Sequence, residues 1–126
     1  MTIKEFYELI DGGYEATIRR ISKEKLLAKF IKKFQSDSNY NDLKKAMQEK
    51  DYQNAFIFSH TLKGIAFNLG FDKLGKSCTE LTDRLRENNR ENYDENELAT
   101  SFLAVKADYE MTEAAIKKFE EEEENE

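Results

Sequence analysis

The near absence of residues that interrupt helices restricts the fold of this chain more than any other feature. Its 126 residues include no proline and only five glycines. Inside a helix, proline costs about 3 kcal/mol and glycine about 1 kcal/mol relative to alanine, whereas a sheet needs turn residues every few positions. The length suffices for one modest core but not for two domains. The sequence therefore predicts an all-α protein with a single domain.

Apolar residues recur three or four positions apart in several segments, with short polar or glycine-containing breaks between them. The first segment ends at Gly12 and Gly13, and a short second one, YEATIRRI, follows it. Residues with this spacing share one face of a helix, so each segment can cover a common core. The last pattern is the longest and consists of Leu98, Phe102, Val105, Tyr109, Thr112, Ile116 and Phe119.

Short polar side chains mark the expected helix starts. We expect N-caps at Ser22, Asp51 and Asp72, and a variant of the capping box at Asp94 and Glu97. Four long amphipathic patterns with short connections predict an up-and-down antiparallel four-helix bundle, with extra short N-terminal helices packed at one end. A dimeric coiled coil is the structural alternative, and the lack of sustained heptads argues against it.

The formal net charge of −6 reflects the C-terminal stretch EEEEENE, which holds six Glu residues. We therefore expect a helical domain over residues 1–119 and an acidic tail over 120–126 that is solvated and frayed. The remainder is nearly neutral. Nothing in it indicates a nucleic-acid surface, which would need a basic excess on one face.

The single cysteine, Cys78, cannot form an internal disulfide, and Met1 is not followed by a basic start and an apolar run. The longest apolar run is far shorter than the roughly 20 residues that cross a membrane. We expect a cytoplasmic protein. Met1 and the charged tail favour a freestanding protein over a domain excised from a larger kinase.

The only histidine, His60, lies in the stretch AFIFSHTLKGIAFNLG. At about 100° of rotation per residue, the predicted core residues of this helix lie opposite His60. They are Phe58, Leu62, Ile65 and Leu69, with Ala55 and Ala66 beside them. The imidazole is therefore expected to face solvent.

Four neighbours of His60 indicate a surface that another molecule contacts. Phe56 and Phe67 lie within about 40° of the histidine and form a small exposed aromatic patch, which is typical of contact surfaces. Gly64 exposes the backbone one turn away, and Lys63 can hold negative charge beside the imidazole. These features suit a nucleophile that accepts a phosphoryl group from another protein.

The stretch HTLKGIAFNLG resembles the signature of histidine-containing phosphotransfer (HPt) domains, which act in bacterial multistep phosphorelays. The similarity in helix pattern extends roughly from Ser22 to Phe119. The matching positions of the signature are His60, Leu62, Lys63, Gly64, Ala66 and Gly70. The resemblance implies a four-helix bundle with an exposed phosphoacceptor, His60, and with Lys63 stabilising the charge of the phosphate.

The resemblance also implies a phosphocarrier without kinase activity of its own. Its expected partners are a response-regulator receiver domain and a hybrid sensor histidine kinase. No cofactor of its own is expected, because the receiver domain supplies the Mg²⁺, and we expect a monomer. The expected docking residues are Phe56, Ser59, Gly64 and Phe67.

Two positions depart from the pattern of the family. Members often place a Gln or Glu that bonds the imidazole where this chain has Thr82, so the orientation of the ring is left open. Ser59 replaces the small apolar residue that commonly precedes the histidine.

Other classes of protein fit less well. A sensor-kinase dimerisation domain usually has an acidic residue directly after its histidine and a proline soon after, whereas this chain has Thr61 and no proline. A helical adaptor that binds partners through Phe56 and Phe67 without chemistry is the alternative function. An enzyme with a metal or a nucleophilic Cys78 lacks a ligand set.

Overall fold

The computed structural model describes residues 1–86 and 93–124, and within these ranges the chain forms seven α-helices and no strand. A single 3-10 turn, Phe34–Ser36, follows the third helix. The helices are α1 Ile3–Leu9, α2 Tyr14–Ile21, α3 Glu24–Lys33, α4 Asn39–Gln48, α5 Tyr52–Asn68, α6 Asp72–Arg84 and α7 Glu95–Glu124. The predicted all-α class is confirmed. None of these helices is long and apolar enough to cross a membrane.

Helices α6 and α7 run antiparallel, as two ion pairs between them show. Lys73 lies 4.0 Å from Asp108, and Arg84 lies 2.8 Å from Glu97. As the residue number rises along α6, the number of the contacting residue on α7 falls. The buried apolar residues of α6 and its C-cap are Leu74, Cys78, Leu81 and Leu85.

Helices α4 and α7 close the bundle with the same antiparallel sense. Tyr40 stacks on Tyr109 with ring centroids 3.9 Å apart, and Lys50 pairs with Glu95 at 3.2 Å. Helix α5 packs between α4 and α6. Helices α4 to α7 therefore form the predicted up-and-down four-helix bundle.

The N-terminal helices cover one end of the bundle, as predicted. An aromatic cluster fills the contact: the ring centroids of Phe6 and Phe71 are 6.0 Å apart, and those of Phe34 and Phe71 are 5.2 Å apart. Phe119 of α7 completes the cluster at 5.8 Å from Phe6. The core thus continues from the bundle into α1 and the end of α3.

The turn after α5 connects the bundle to the N-terminal helices through backbone groups. Gly70 has φ +75°, a left-handed conformation that glycine adopts without steric cost. Its carbonyl accepts the N–H of Gly13 at 3.0 Å, and the hydroxyl of Tyr7 donates to the carbonyl of Leu69 at 2.6 Å. These bonds fix α1 and α2 against the end of α5.

Two of the expected N-caps are wrong. Ser22 ends α2 as a left-handed C-cap with φ 73°, and Lys23 precedes α3. Asp72 is the first residue of α6, after Phe71 in the cap position, so its side chain does not cap the helix. Asp51 is the N-cap of α5, as predicted, because its side chain accepts the N–H of Asn54 at 3.3 Å.

The predicted capping box at the start of α7 is half formed. The carboxylate of Asp94 accepts the N–H of Glu97 at 3.2 Å. The side chain of Glu97 does not return to the cap but pairs with Arg84. An ion pair across the bundle thus replaces the second bond of the box.

The acidic tail is more ordered than the sequence suggests. Helix α7 continues to Glu124, so the expectation of a frayed, solvated end is wrong for residues 120–124. Glu122 pairs with the N-terminal amine of Met1 at 3.1 Å, and Glu123 pairs with Lys32. Positive groups from two other parts of the chain therefore hold this end; residues 125–126 lie outside the described ranges.

Candidate functional site

His60 lies on the exposed face of α5, eight residues after its first residue, Tyr52. The buried face of the helix is the stripe Ala55, Ser59, Leu62 and Ala66. This stripe is rotated by about 50° from the predicted one on a helical wheel. As a result Phe58, Ile65 and Leu69 are only partly buried. The expectation that His60 faces solvent is unchanged, because the imidazole still lies well away from the buried stripe.

Ser59 does not belong to the predicted docking surface. Its side chain is 0% exposed and faces α6, where its hydroxyl lies 2.7 Å from that of Thr82. Thr82 in turn donates to the carbonyl of Cys78 at 2.6 Å. A small polar residue at position 59 lets α5 and α6 approach closely while each buried hydroxyl keeps a partner.

Thr82 therefore leaves the imidazole without the polar contact that the family often provides. Within the described ranges no side chain forms a hydrogen bond to His60. Phe56, one turn before the histidine and partly buried, stacks on the imidazole with the ring planes 19° apart and the centroids 5.9 Å apart. The guanidinium of Arg86 lies 5.8 Å from the Phe56 ring. The ring neighbour of His60 is thus an aromatic side chain on its own helix, with a cation beyond it.

Gly64 has open space above its Cα. A Cβ built at this position would meet no atom within 4 Å, leaving out the backbone of its own helix. Packing within this chain therefore does not require the glycine, although glycine weakens a helix interior by about 1 kcal/mol relative to alanine. The room above it is available to another molecule.

Lys63 is partly buried on the flank of α5 beside His60. No carboxylate of the described residues forms an ion pair with it. The stabilisation of a phosphate by its ammonium group stays a prediction. Lys63 and Gly64 lie on opposite sides of the histidine.

Phe67 is 39% exposed and also has a structural contact that the sequence analysis missed. A Cβ at Gly75 of α6 would lie 2.7 Å from the Phe67 ring, so this glycine makes room for the ring. The aromatic patch is therefore attached to α6 on one side and open on the other. Phe67 and Gly75 lie on different helices, and nothing in the sequence alone indicates that they pair.

The C-terminal end of α5 is held by a residue that the sequence analysis did not single out. The guanidinium of Arg20 donates to the carbonyl of Asn68 at 2.5 Å and to that of Phe67 at 3.3 Å. The carbonyl of Phe67 also accepts the N–H of Gly70 at 3.1 Å, and a cation near the last carbonyls of a helix interacts favourably with the helix dipole. No local pattern links Arg20 to a helix end 48 residues away.

The cysteine does not suit this site as a nucleophile. Cys78 is fully buried, and burial raises the pKa of its thiol to about 12, so little nucleophilic thiolate forms at neutral pH. No group of three His, Cys, Asp or Glu residues in the described ranges could hold a metal ion.

The site is thus an exposed imidazole on a bundle helix, beside an unobstructed backbone and a cation that no carboxylate of residues 1–86 and 93–124 pairs with. The family model of the Hpt domain matches residues 25–115, and the chain belongs to this family. Comparison with curated proteins and with solved structures gave no match. Helices α1 and α2 precede the matched range.

Membership places the chain in phosphorelay signalling of the two-component type, which proceeds through phosphohistidine. Hpt domains are phosphocarriers rather than kinases, and they interact with the receiver and kinase components of phosphorelays. His60 is the single histidine of the sequence and lies inside the matched range.

Proposed function

We propose that this chain carries a phosphoryl group on His60, which it receives from, or passes to, the aspartate of a response-regulator receiver domain. The observation that supports this most is the combination of an exposed histidine with open space above Gly64 on the same face of α5. Two proteins must bring their reacting atoms to about 3 Å, so a side chain over this path would obstruct transfer.

In the proposed step, a nitrogen of His60 attacks the phosphorus of the aspartyl phosphate in line with the bond that breaks. The N–P bond forms, the P–O bond to the aspartate breaks, and the carboxylate leaves with the electron pair. Nε2 is the proposed atom because it projects furthest from the helix. No described side chain bonds the ring, so the proton on the other nitrogen is free to leave to water. The reverse step returns the group to a receiver.

Lys63 supports the phosphorylated state in this proposal. The phosphoryl group carries about two negative charges at neutral pH, and the unpaired ammonium on the next turn offsets part of them. The Mg²⁺ of the reaction is proposed to belong to the receiver domain. A hybrid sensor histidine kinase is the proposed source of phosphate upstream, and we propose a monomer that works in the cytoplasm.

The test is transfer from receiver domains labelled with radioactive phosphate, with the His60→Gln variant as the control. We expect acid-labile label on the wild-type chain and none on the variant, with the same helical content by circular dichroism. Retained acid-labile label on the variant would refute the assignment of His60. A wild-type chain that binds a receiver but acquires no label would instead support the adaptor that uses Phe56 and Phe67.

A further inference from the structure

The exposed imidazole of His60 stacks on the ring of Phe56, one turn earlier in α5. The two ring planes are 19° apart and the centroids are 5.9 Å apart. Rings at this separation, with their planes offset, attract each other. Side chains on a helix lean toward its N-terminus, so a residue lies over the one four positions before it. The geometry of α5 therefore places the imidazole against the Phe56 ring.

Phe56 is held by more of the molecule than the imidazole is. His60 is exposed, whereas Phe56 is partly buried and packs against the core. The guanidinium of Arg86 lies 5.8 Å from the centroid of the Phe56 ring, within the range of an attractive cation–π contact. Asp83 pairs in turn with Nε of Arg86 at 3.1 Å. The Phe56 ring is thus an anchored surface on which the exposed imidazole rests.

No side-chain hydrogen bond orients the imidazole in the part of the chain that the structure describes. Thr82 on α6 is fully buried, and its hydroxyl lies 2.7 Å from that of Ser59. In a helix two of the three χ1 rotamers are common and χ2 of histidine is roughly two-fold, so an exposed histidine has about four orientations. The stack on Phe56 is the contact that favours one of them.

We propose that Phe56 is a positioning residue for phosphoryl transfer, and that its ring holds the imidazole in the orientation that presents the attacking nitrogen to the receiver domain. This inference rests on the proposed function. Transfer in line requires the nitrogen to be aligned with the bond that breaks. An imidazole that is oriented before the partner arrives need not be ordered during transfer. A docking residue would instead act on binding and leave transfer at saturation unchanged.

The experiment compares Phe56→Leu with two matched variants. Phe58 is also partly buried on α5 and packs against the core, but it lies about 160° around the helix from His60. Phe58→Leu therefore makes the same change without reaching the imidazole, and Phe56→Tyr keeps the ring. The measurements are the Kd of the receiver domain that labels His60, the transfer rate at saturation, and the rate of labelling by phosphoramidate. This small donor releases ammonia and needs no docking surface.

An NMR measurement tests the stack without any partner. His60 is the single histidine of the sequence, so its imidazole signals belong to one residue. The three-bond couplings of its Cβ protons report whether χ1 has one rotamer or an average of several. We expect one rotamer, with nuclear Overhauser contacts between the two rings, in the wild type and in Phe56→Tyr. Phe56→Leu should give averaged couplings, and Phe58→Leu should keep those of the wild type.

We expect Phe56→Leu to transfer about fourfold more slowly at saturation, because the imidazole is then distributed among about four orientations. Its Kd for the receiver and its labelling by phosphoramidate should be unchanged, since a small donor can approach the nitrogen in any orientation. Phe56→Tyr and Phe58→Leu should both transfer at the wild-type rate.

Several results would overturn the inference. A higher Kd with an unchanged saturated rate would assign Phe56 to the docking surface. A lower Tm of Phe56→Leu, with the His60 couplings of the wild type, would leave Phe56 a structural role only. Slower labelling by phosphoramidate would indicate altered reactivity of the imidazole rather than its orientation. An equal loss of transfer in Phe58→Leu would indicate a disturbed α5 rather than a lost stack.

The same measurements separate this inference from the proposed function. Normal labelling of His60 by the receiver, with equal saturated rates in the wild type and Phe56→Leu, would refute the positioning role alone. Absent labelling of the wild-type chain by receiver domains would refute the proposed function, and with it the positioning role, even where the couplings show the stack.

Discussion

Replacement of Gly64 is the sharpest test of the site, because stability and function should change in opposite directions. Gly64 lies in the interior of α5, four residues before its end, and a Cβ there would meet open space. Gly64→Ala should therefore gain the helix propensity of alanine without a clash. Gly64→Gln gains somewhat less propensity but places a long side chain on the path to His60.

The magnitude follows from the helix propensity and the size of the chain. Alanine is favoured over glycine by about 0.8–1 kcal/mol in a helix interior. At about 2.1 cal/mol/K per residue, the unfolding entropy of the 126 residues is roughly 0.26 kcal/mol/K. Gly64→Ala should thus raise Tm by about 3–4 °C, and Gly64→Gln by about half of that.

The assay measures Tm by circular dichroism beside the transfer rate from a phosphorylated receiver. We expect Gly64→Gln to transfer up to about 100-fold more slowly, because displacement of the reacting atoms by about 1 Å has effects of this size. Thr61→Gln is the matched control, since Thr61 is exposed on the same helix but off the His60 face. A lower Tm for Gly64→Ala, or normal transfer by a folded Gly64→Gln, would refute the reasoning.

Three further predictions concern the surroundings of His60. Lys63→Ala should shift the phosphotransfer equilibrium away from His60 by about two- to fivefold, as for an exposed ion pair of 0.3–1 kcal/mol, with Tm within about 1 °C of the wild type; a larger drop in Tm would show a structural role. Phe67→Asp should weaken receiver binding about tenfold and lower the unfolding free energy by about 1–2 kcal/mol, because the ring also covers Gly75; Leu103→Asp, at a 59% exposed position on α7, should do neither. Cys78 should destabilise the protein as pH rises: the unfolded thiol ionises near pH 8.5, whereas the buried one keeps its proton to about pH 12. Between about pH 9 and pH 10, below the range in which the tyrosines ionise, urea unfolding should show a loss of about 1.2 kcal/mol that Cys78→Ala lacks, and a flat wild-type profile there would contradict it.

The sequence predicted the parts of this protein that depend on local chemistry. Apolar spacing predicted the helices, because the period of 3.6 residues holds wherever a helix covers a core. The exposure of His60 followed from the same period. Asp51 was recognised as an N-cap because its side chain bonds a backbone N–H three residues away, a contact within the range of a local pattern.

The wrong predictions concern the buried face of α5 and the acidic end of α7, where contacts between residues far apart in the sequence determine the structure. The sequence around Ser59 does not reveal that Thr82 of α6 places its hydroxyl 2.7 Å away. The buried face predicted for α5 was therefore centred on larger apolar side chains, and Ser59 was left outside it. The run of glutamates suggested mutual repulsion and fraying. Met1 and Lys32, both far away in the sequence, instead provide positive groups that let α7 continue. Neither partner can be inferred before the fold is known.

The N-terminal helices explain how α5 tolerates a glycine beside its functional histidine. Gly64 weakens the helix by about 1 kcal/mol relative to alanine, and the four residues after it form only one more turn. Backbone N–H groups that follow the helix already bond three carbonyls of that turn, Leu69 to Ile65, Phe71 to Ala66 and Gly70 to Phe67. Arg20 donates in addition to the carbonyls of Phe67 and Asn68, and Tyr7 donates to that of the C-cap Leu69, at a helix end where a cation also gains about 0.3–1 kcal/mol from the dipole. Since α1 and α2 lie before the residues that the family model matches, this chain secures the open surface at His60 with a segment outside the family domain.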